Sequence, residues 1–192
     1  RPSSKPTARP FALTFSWTTC RASCEVDDDA PWSQVRTGHH RDQRLELRKR
    51  DAALEGELNP SDFENAWAQI MSRYDSLRTM FLWEELDEPL QVIRQHVDIA
   101  WNHMDWSGFS ATEQRVRLSK FLAADRERGF ELTRAPLMRM SLVREADNRW
   151  RWVWSFHHIL FDGWSTAVIL REFIETCEAV SRDEKLNIES PF

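Results

Sequence analysis

The chain has 192 residues, with 26 Lys and Arg against 31 Asp and Glu, which gives a formal net charge of −5. Hydrophobic residues make up 41% of the sequence and charged residues 30%, as in an ordinary globular protein with one sizeable core. The acidic balance argues against a nucleic-acid partner, because no basic surplus is present to neutralise phosphates. No apolar run approaches the roughly 20 residues of a membrane helix, so we expect no membrane partner either.

Residues 1–52 are interpreted as an irregular segment. Residues 1–50 hold ten Lys and Arg against six Asp and Glu, and their apolar positions follow neither a helical nor an alternating period. Such a segment buries little apolar area to offset its ordering entropy. We therefore predict that residues 1–52 are disordered, or not native to the domain that occupies 53–192. Because the chain starts with Arg1, we also expect a fragment or a processed product.

The cysteine content indicates the cellular compartment. The three cysteines, Cys20, Cys24 and Cys177, are too few for a disulfide framework. Their odd number is typical of a reducing compartment, so we expect the protein to be cytoplasmic.

Regular elements are predicted from residue 54 onward. Asn59-Pro60 is a typical helix start, and apolar residues then recur every three or four positions up to Tyr74. Two short strands follow, at 77–83 and 90–97. A second helix over 111–128 ends at Gly129, a common helix stop.

The second half of the chain predicts a hairpin and a last helix. Residues 137–143 and 149–156 alternate apolar and polar side chains and are separated by a polar turn. The second strand has one aromatic face, and its other face, with Arg149 and Arg151, is interpreted as solvated. A final helix over 165–181 completes an α+β fold with a largely antiparallel sheet.

The candidate site follows the aromatic strand. Adjacent strand residues point to opposite sides, so one of His157 and His158 can face a cleft while the other is held beneath it. A histidine with a pKa near its usual value of about 6.5 can act as a general base at neutral pH. Asp162 can brace the loop, and Gly163 permits an unusual backbone angle or a close approach. A pair of merely structural histidines remains an alternative, whereas a metal site is disfavoured because no third ligand clusters nearby.

Two motifs carry a family resemblance. Residues 157–163, HHILFDG, resemble the HHxxxDG motif of condensation domains in nonribosomal peptide synthetases. Residues 73–81, RYDSLRTMF, resemble the RHExLRTxF segment of the same family, with Tyr74 in place of the usual His and Asp75 in place of Glu. The resemblance covers about residues 53–181 and leaves residues 1–50 unmatched.

The resemblance implies a fold and an activity. The family fold is similar to that of chloramphenicol acetyltransferase, with two lobes facing each other across a tunnel, and this chain corresponds to the N-terminal lobe only. The implied reaction is amide-bond formation between a carrier-bound acyl or peptidyl thioester and the amine of a downstream carrier-bound aminoacyl group. The implied partners are upstream and downstream carrier proteins, a C-terminal lobe and an adenylation domain. No cofactor is bound directly, because the substrates are carried on the phosphopantetheine of the carrier proteins.

Residue roles are carried over by position. The resemblance makes His158 the catalytic histidine and gives His157 a supporting role in the loop. It implies that Gly163 leaves room for the pantetheine arm. It also implies a buried ion pair between Asp162 and Arg78 that braces the loop.

Three other functions stay open from the sequence. An epimerization domain shares the histidine pair, whereas a heterocyclization domain usually has Asp at the position of His157, which argues against it. The unmatched residues 1–50 and the absent second lobe are compatible with a non-catalytic remnant or a carrier-protein docking module. We expect the isolated lobe to be inactive.

Overall fold

The computed structural model describes residues 47–182. The strands are β1 (Leu47–Glu55), β2 (Thr79–Leu82), β3 (Leu90–Ile93), β4 (Trp101–Asp105), β5 (Met138–Ala146) and β6 (Arg149–His157). The helices are α1 (Pro60–Arg73), α2 (Ala111–Arg128) and α3 (Gly163–Ser181), with short 3-10 helices at Asp75–Arg78 and His158–Leu160. Cys20, Cys24 and residues 1–46 of the segment predicted to be irregular lie outside the described residues.

The main sheet has four strands in the order β1-β6-β5-β4. Strand β6 pairs antiparallel with β1 on one side and with β5 on the other, and β4 runs parallel to β5. Strands β2 and β3 form a separate antiparallel pair. The predicted α+β fold with a largely antiparallel sheet is confirmed, and the predicted hairpin is β5–β6.

One face of the main sheet carries an aromatic core. Trp67 of α1 lies 5.0 Å from Trp154 of β6 and stacks on Phe173 of α3 at 4.5 Å between ring centroids. Helices α1 and α3 therefore cover this face together. Rings of this size dominate the hydrophobic stabilisation of a core. The largest fully buried side chains include Trp67, Trp152, Trp154, Phe156, Phe173, Leu54 and Ile70.

The ends of α1 and α2 are those predicted from the sequence. The Asn59 carboxamide oxygen accepts a hydrogen bond from the Ser61 N–H at 3.0 Å and caps α1. Ser110 and Glu113 form a reciprocal capping box at the start of α2. The residue after α2, Gly129, has φ = +58°, a left-handed conformation that glycine adopts without steric cost.

The start of α3 differs from the prediction. The helix begins at Gly163, two residues before the predicted start, because Asp162 is its N-cap. The Asp162 carboxylate accepts a hydrogen bond from the Ser165 N–H at 2.8 Å. Ser165 therefore lies inside the first turn of the helix.

The predicted irregular segment is wrong for residues 47–52, which belong to β1. Ala52 and Leu54 are buried on the aromatic face of this strand. Lys49 and Asp51 point to the opposite face, where they pair with Asp125 and Arg151. Arg50, opposite Trp154, lies on the same face as Ala52 and Leu54, so the strand lacks the clean alternation of apolar and polar residues that would have identified it.

Strand β4 was also not predicted from the sequence. It lies at the edge of the sheet, and three of its five side chains are exposed. Its pattern is therefore too polar to indicate a strand without knowledge of its partner β5.

The other face of the sheet is polar and partly covered by α2. The Gln114 side chain of α2 donates hydrogen bonds to the carbonyl oxygens of Trp106 and Glu145, each at 2.9 Å. Arg149 and Arg151, interpreted from the sequence as a solvated face, both pair with the buried Glu145 carboxylate. Among the described residues, no helix is long and apolar enough to cross a membrane.

Candidate active site

His158 follows the last residue of β6 and is half-buried. Its Nδ1 lies 3.1 Å from the carbonyl oxygen of Phe161. A carbonyl oxygen can only accept a hydrogen bond, so Nδ1 must carry the proton. The neutral ring then has its lone pair on Nε2, the tautomer in which a histidine acts as a base through its outer nitrogen.

His157 is buried, with 3% of its surface exposed. Its Nδ1 accepts a hydrogen bond from the Ile159 N–H at 3.2 Å and so caps the short 3-10 helix that begins at His158. Nδ1 of His157 therefore carries no proton in this arrangement. The two histidines therefore differ in burial and in tautomer.

The predicted ion pair between Asp162 and Arg78 is not formed. Asp162 is exposed and caps α3, and hydrogen bonds from the Ser165 backbone and hydroxyl hold the pKa of its carboxyl below the usual value. Because the carboxylate is directed at the start of its own helix, it does not brace the loop from beneath.

Arg78 is occupied elsewhere. Its Nε donates to the carbonyl oxygen of Met71 at 2.9 Å, and its Nη1 donates to that of Gln95 at 3.3 Å. It also forms an ion pair with Asp75, three residues before it. Arg78 thus ties the end of α1 to the segment after β3, which is a structural role distinct from the predicted one.

Gly163 is the first residue of α3, and its φ lies outside the left-handed region. A Cβ built on it would meet no atom within 4 Å, so neither the turn nor a close contact among the described residues requires glycine. The neighbouring Trp164 has 82% of its surface exposed. The side of the loop near Gly163 and Trp164 is therefore open.

A different ion pair links helix α1 to helix α3. Arg73, the last residue of α1, places Nε 3.0 Å from Oε2 of Glu172 on α3, and the two side chains are only 15% and 12% exposed. The Tyr74 hydroxyl is buried beside them, and burial together with the Glu172 carboxylate raises the pKa of Tyr74. Sequence reasoning missed this pair because Glu172 lies outside both motifs.

Other reactive groups are few in the described part of the chain. No three His, Cys, Asp or Glu side chains between residues 47 and 182 lie close enough together to hold a metal ion. Burial raises the pKa of the Cys177 thiol far above its ordinary value, which disfavours the thiolate that a nucleophile requires. His158 is thus the best-placed base on the loop.

Comparison with known proteins identifies the family. The family model described as "Condensation domain" matches residues 51–191, well over half of the chain. The chain belongs to the condensation-domain family. It is 34% identical over 137 residues to tyrocidine synthase 2 of Brevibacillus parabrevis, a match that covers 71% of this chain and 4% of that protein. It is 32% identical over 132 residues to surfactin synthase subunit 3 of Bacillus subtilis strain 168, covering 69% of this chain and 10% of the relative.

Solved structures support the same fold. The starter condensation domain of rhizomide synthetase RzmA is similar to this chain with a TM-score of 0.67 and 22% identity. The match covers 76% of this chain and 35% of the solved one. This condensation-domain chain thus spans about a third of the solved domain and a small part of its curated relatives. Its fold is that of a chloramphenicol acetyltransferase-like half.

Proposed function

We propose that this chain supplies the histidine-bearing N-terminal lobe of a condensation domain that forms amide bonds in nonribosomal peptide synthesis. The observation that carries the proposal is the half-buried His158, whose Nδ1 is tied to the Phe161 carbonyl so that Nε2 is left as the base. Membership of the condensation-domain family supports the reaction class.

The proposed chemistry is aminolysis of a thioester. The amine of the downstream aminoacyl group attacks the thioester carbon, so that the C–N bond forms and the C–S bond breaks. His158 Nε2 accepts the proton that the amine loses and returns it to the departing sulfur, which leaves as the upstream thiol. A neutral amine with a pKa near 8 and an activated thioester need little more than a positioned base, so orientation supplies much of the rate.

The proposed substrates are acyl and aminoacyl groups on the phosphopantetheine arms of carrier proteins. A variant of the RzmA starter condensation domain, 22% identical to this chain, was solved in complex with C8-CoA and Leu-SNAC. The open side of the loop at Gly163 is compatible with an arm passing there. The proposed partners are two carrier proteins, a C-terminal lobe and an adenylation domain, in the cytoplasm, with no cofactor bound by this lobe itself.

The test is His158→Ala in the full-length polypeptide that contains this chain, assayed with loaded carrier proteins. We expect amide formation to fall by about 10²–10⁴-fold with an unchanged melting temperature, because a half-buried ring at a strand end adds little to the core. His103→Ala is the matched control, since His103 is 47% exposed and pairs with Glu64 on the surface. Product formation by His158→Ala at the rate of the unaltered protein would refute the role.

A non-catalytic remnant or carrier-protein docking module is the alternative function. Residues 1–192 alone should then bind carrier proteins without forming amide, and so should the full-length polypeptide. We expect amide formation by the full-length polypeptide and none by the isolated lobe. An inverted α-carbon without a new amide would instead indicate an epimerization domain.

A further inference from the structure

Three polar side chains form a row across the sheet on the face opposite the aromatic core. Lys49 on β1 and Arg139 on β5 are both direct cross-strand neighbours of Ser155 on β6. Asp125 of α2 contacts all three: its carboxylate accepts hydrogen bonds from Arg139 Nε and, at 2.7 Å, from the Ser155 hydroxyl. Lys49 Nζ lies 3.1 Å from the same carboxylate. We call these four residues the Asp125 cluster.

The Asp125 cluster is buried and makes several hydrogen bonds. Asp125 is 8% exposed, and the side chains of Lys49 and Arg139 are 13% and 12% exposed. Arg139 also donates to the carbonyl oxygens of Gly129 at 2.6 Å and Asp125 at 2.7 Å, and its guanidinium lies 4.1 Å from the Phe130 ring centroid. The cluster therefore fastens the C-terminal end of α2 to three strands at once.

The cluster lies close to the candidate base along the chain. Ser155 precedes His158 by three residues, which is about 10 Å of extended strand. On the opposite face of β6, Trp154 and Phe156 are buried in the aromatic core. The strand end is closed by a hydrogen bond from the His157 N–H to the Leu137 carbonyl oxygen at 2.9 Å. Both faces of β6 are thus held just before the histidines.

We propose that the Asp125 cluster positions His158, with Ser155, Asp125 and Arg139 as positioning residues for the amide-forming reaction. The inference rests on the proposed function of His158. A buried cluster of charges costs desolvation and rarely stabilises a fold more than apolar residues would, so stability alone does not explain it. Catalysis is far more sensitive to geometry, because a misplacement of about 1 Å can cost 10²-fold in rate.

The kinetic test uses Ser155→Ala in the full-length polypeptide with loaded carrier proteins. Removing the hydroxyl releases β6 from Asp125, and we expect kcat to fall about tenfold while KM stays unchanged. Ser155→Thr retains the hydroxyl and should restore most of kcat. The matched control is Ser141→Ala on β5, a buried serine on the same face, two residues beyond Arg139. A lowered melting temperature with kcat unchanged would overturn the inference.

A second readout does not depend on activity. Hydrogen exchange at the amides of residues 156–161 should be faster in Ser155→Ala than in the unaltered protein, and unchanged in Ser141→Ala. If Ser155→Ala does not fold, Lys49→Met removes one donor of the cluster and is judged by the same two measurements. Loss of turnover in His158→Ala with normal kcat and normal exchange in Ser155→Ala would refute only the positioning role. Normal turnover in His158→Ala would refute the proposed function itself.

Discussion

His157 and His158 use the same ring nitrogen in opposite ways. Nδ1 of His157 accepts a backbone hydrogen bond, whereas Nδ1 of His158 donates one to the Phe161 carbonyl. The unequal burial of the two rings was predicted from the strand alternation, and the catalytic role of His158 stays a prediction. The tautomers were not predicted, because they depend on a 3-10 turn whose carbonyl directions no sequence pattern specifies.

Alanine substitutions at Gly129 and Gly163 are expected to differ in their effect on stability. Gly129→Ala places a Cβ at φ = +58°, and we expect it to lower the free energy of unfolding by about 1–2 kcal/mol. Gly163→Ala meets open space at an ordinary helix position and should leave that free energy unchanged or slightly raised. Urea denaturation of both variants checks this.

Turnover of the same two variants gives a second comparison. If Gly163 leaves room for a pantetheine arm, Gly163→Ala lowers turnover without lowering stability, whereas Gly129→Ala does the reverse. A destabilised Gly163→Ala variant would contradict the open environment at the start of α3.

At the scale of elements, the two motif regions are linked through helices α1 and α3 and not through the predicted loop brace. Asp162 caps α3, and Arg78 holds the end of α1. We therefore expect Asp162→Ala and Arg78→Ala each to lower the melting temperature, the first by about 2–4 °C as is usual for loss of a helix cap. Their effects should add in the double variant, because the two side chains do not touch.

The control is the same comparison of two single variants and their double variant, made on Arg73 and Glu172. Those side chains are 3.0 Å apart and largely buried, so Arg73→Gln and Glu172→Gln should show a clear coupling that the first pair lacks. Thermal unfolding is measured for the unaltered protein, Asp162→Ala, Arg78→Ala and the double variant. Strong coupling between Arg78 and Asp162 would support the predicted ion pair between them.

Elements with a one-sided apolar pattern could be predicted from the sequence. Helix α1 has buried residues at three- and four-residue steps, and strand β6 has an aromatic residue at every second position from Trp150 to Phe156. Strand β1 could not be predicted, because Arg50 lies on the same face as Ala52 and Leu54 and breaks the apolar alternation. The partner of Arg73 could not be predicted, because no local pattern indicates Glu172.

At the scale of the whole molecule, one face of the main sheet packs aromatic side chains and the other carries buried ion pairs. The ion pairs make stability depend on pH. Burial raises the pKa of Asp125, but hydrogen bonds from Arg139 and Ser155 and the charges of Arg139 and Lys49 outweigh burial, so the pKa is lowered. The stability that ionised Asp125 contributes is complete above its unfolded value of 3.8 and is lost as the pH falls through the lower folded value. We expect the free energy of unfolding to decline below about pH 4.

Asp125→Asn tests this acid sensitivity. It should lower the free energy of unfolding by about 3 kcal/mol at pH 7, because Lys49 and Arg139 lose their buried counter-charge. Its further decline between pH 5 and pH 2 should be shallower than that of the unaltered protein. Asp147→Asn, at a side chain that is 93% exposed, is the control and should follow the unaltered curve. Superimposable urea denaturation curves for Asp125→Asn and the unaltered protein would contradict the expectation.

Strand β1 sets a practical limit on where this domain can be cut. The family match starts at residue 51, but β1 starts at Leu47 and supplies the whole of one flank of β6. A recombinant product that begins at the family boundary would lack Lys49 and would leave residues 154–157 of the histidine strand with an unpaired edge. Exposed strand edges pair with other chains, so such a trimmed product would be prone to self-association at the end of the sheet where the loop after β6 begins.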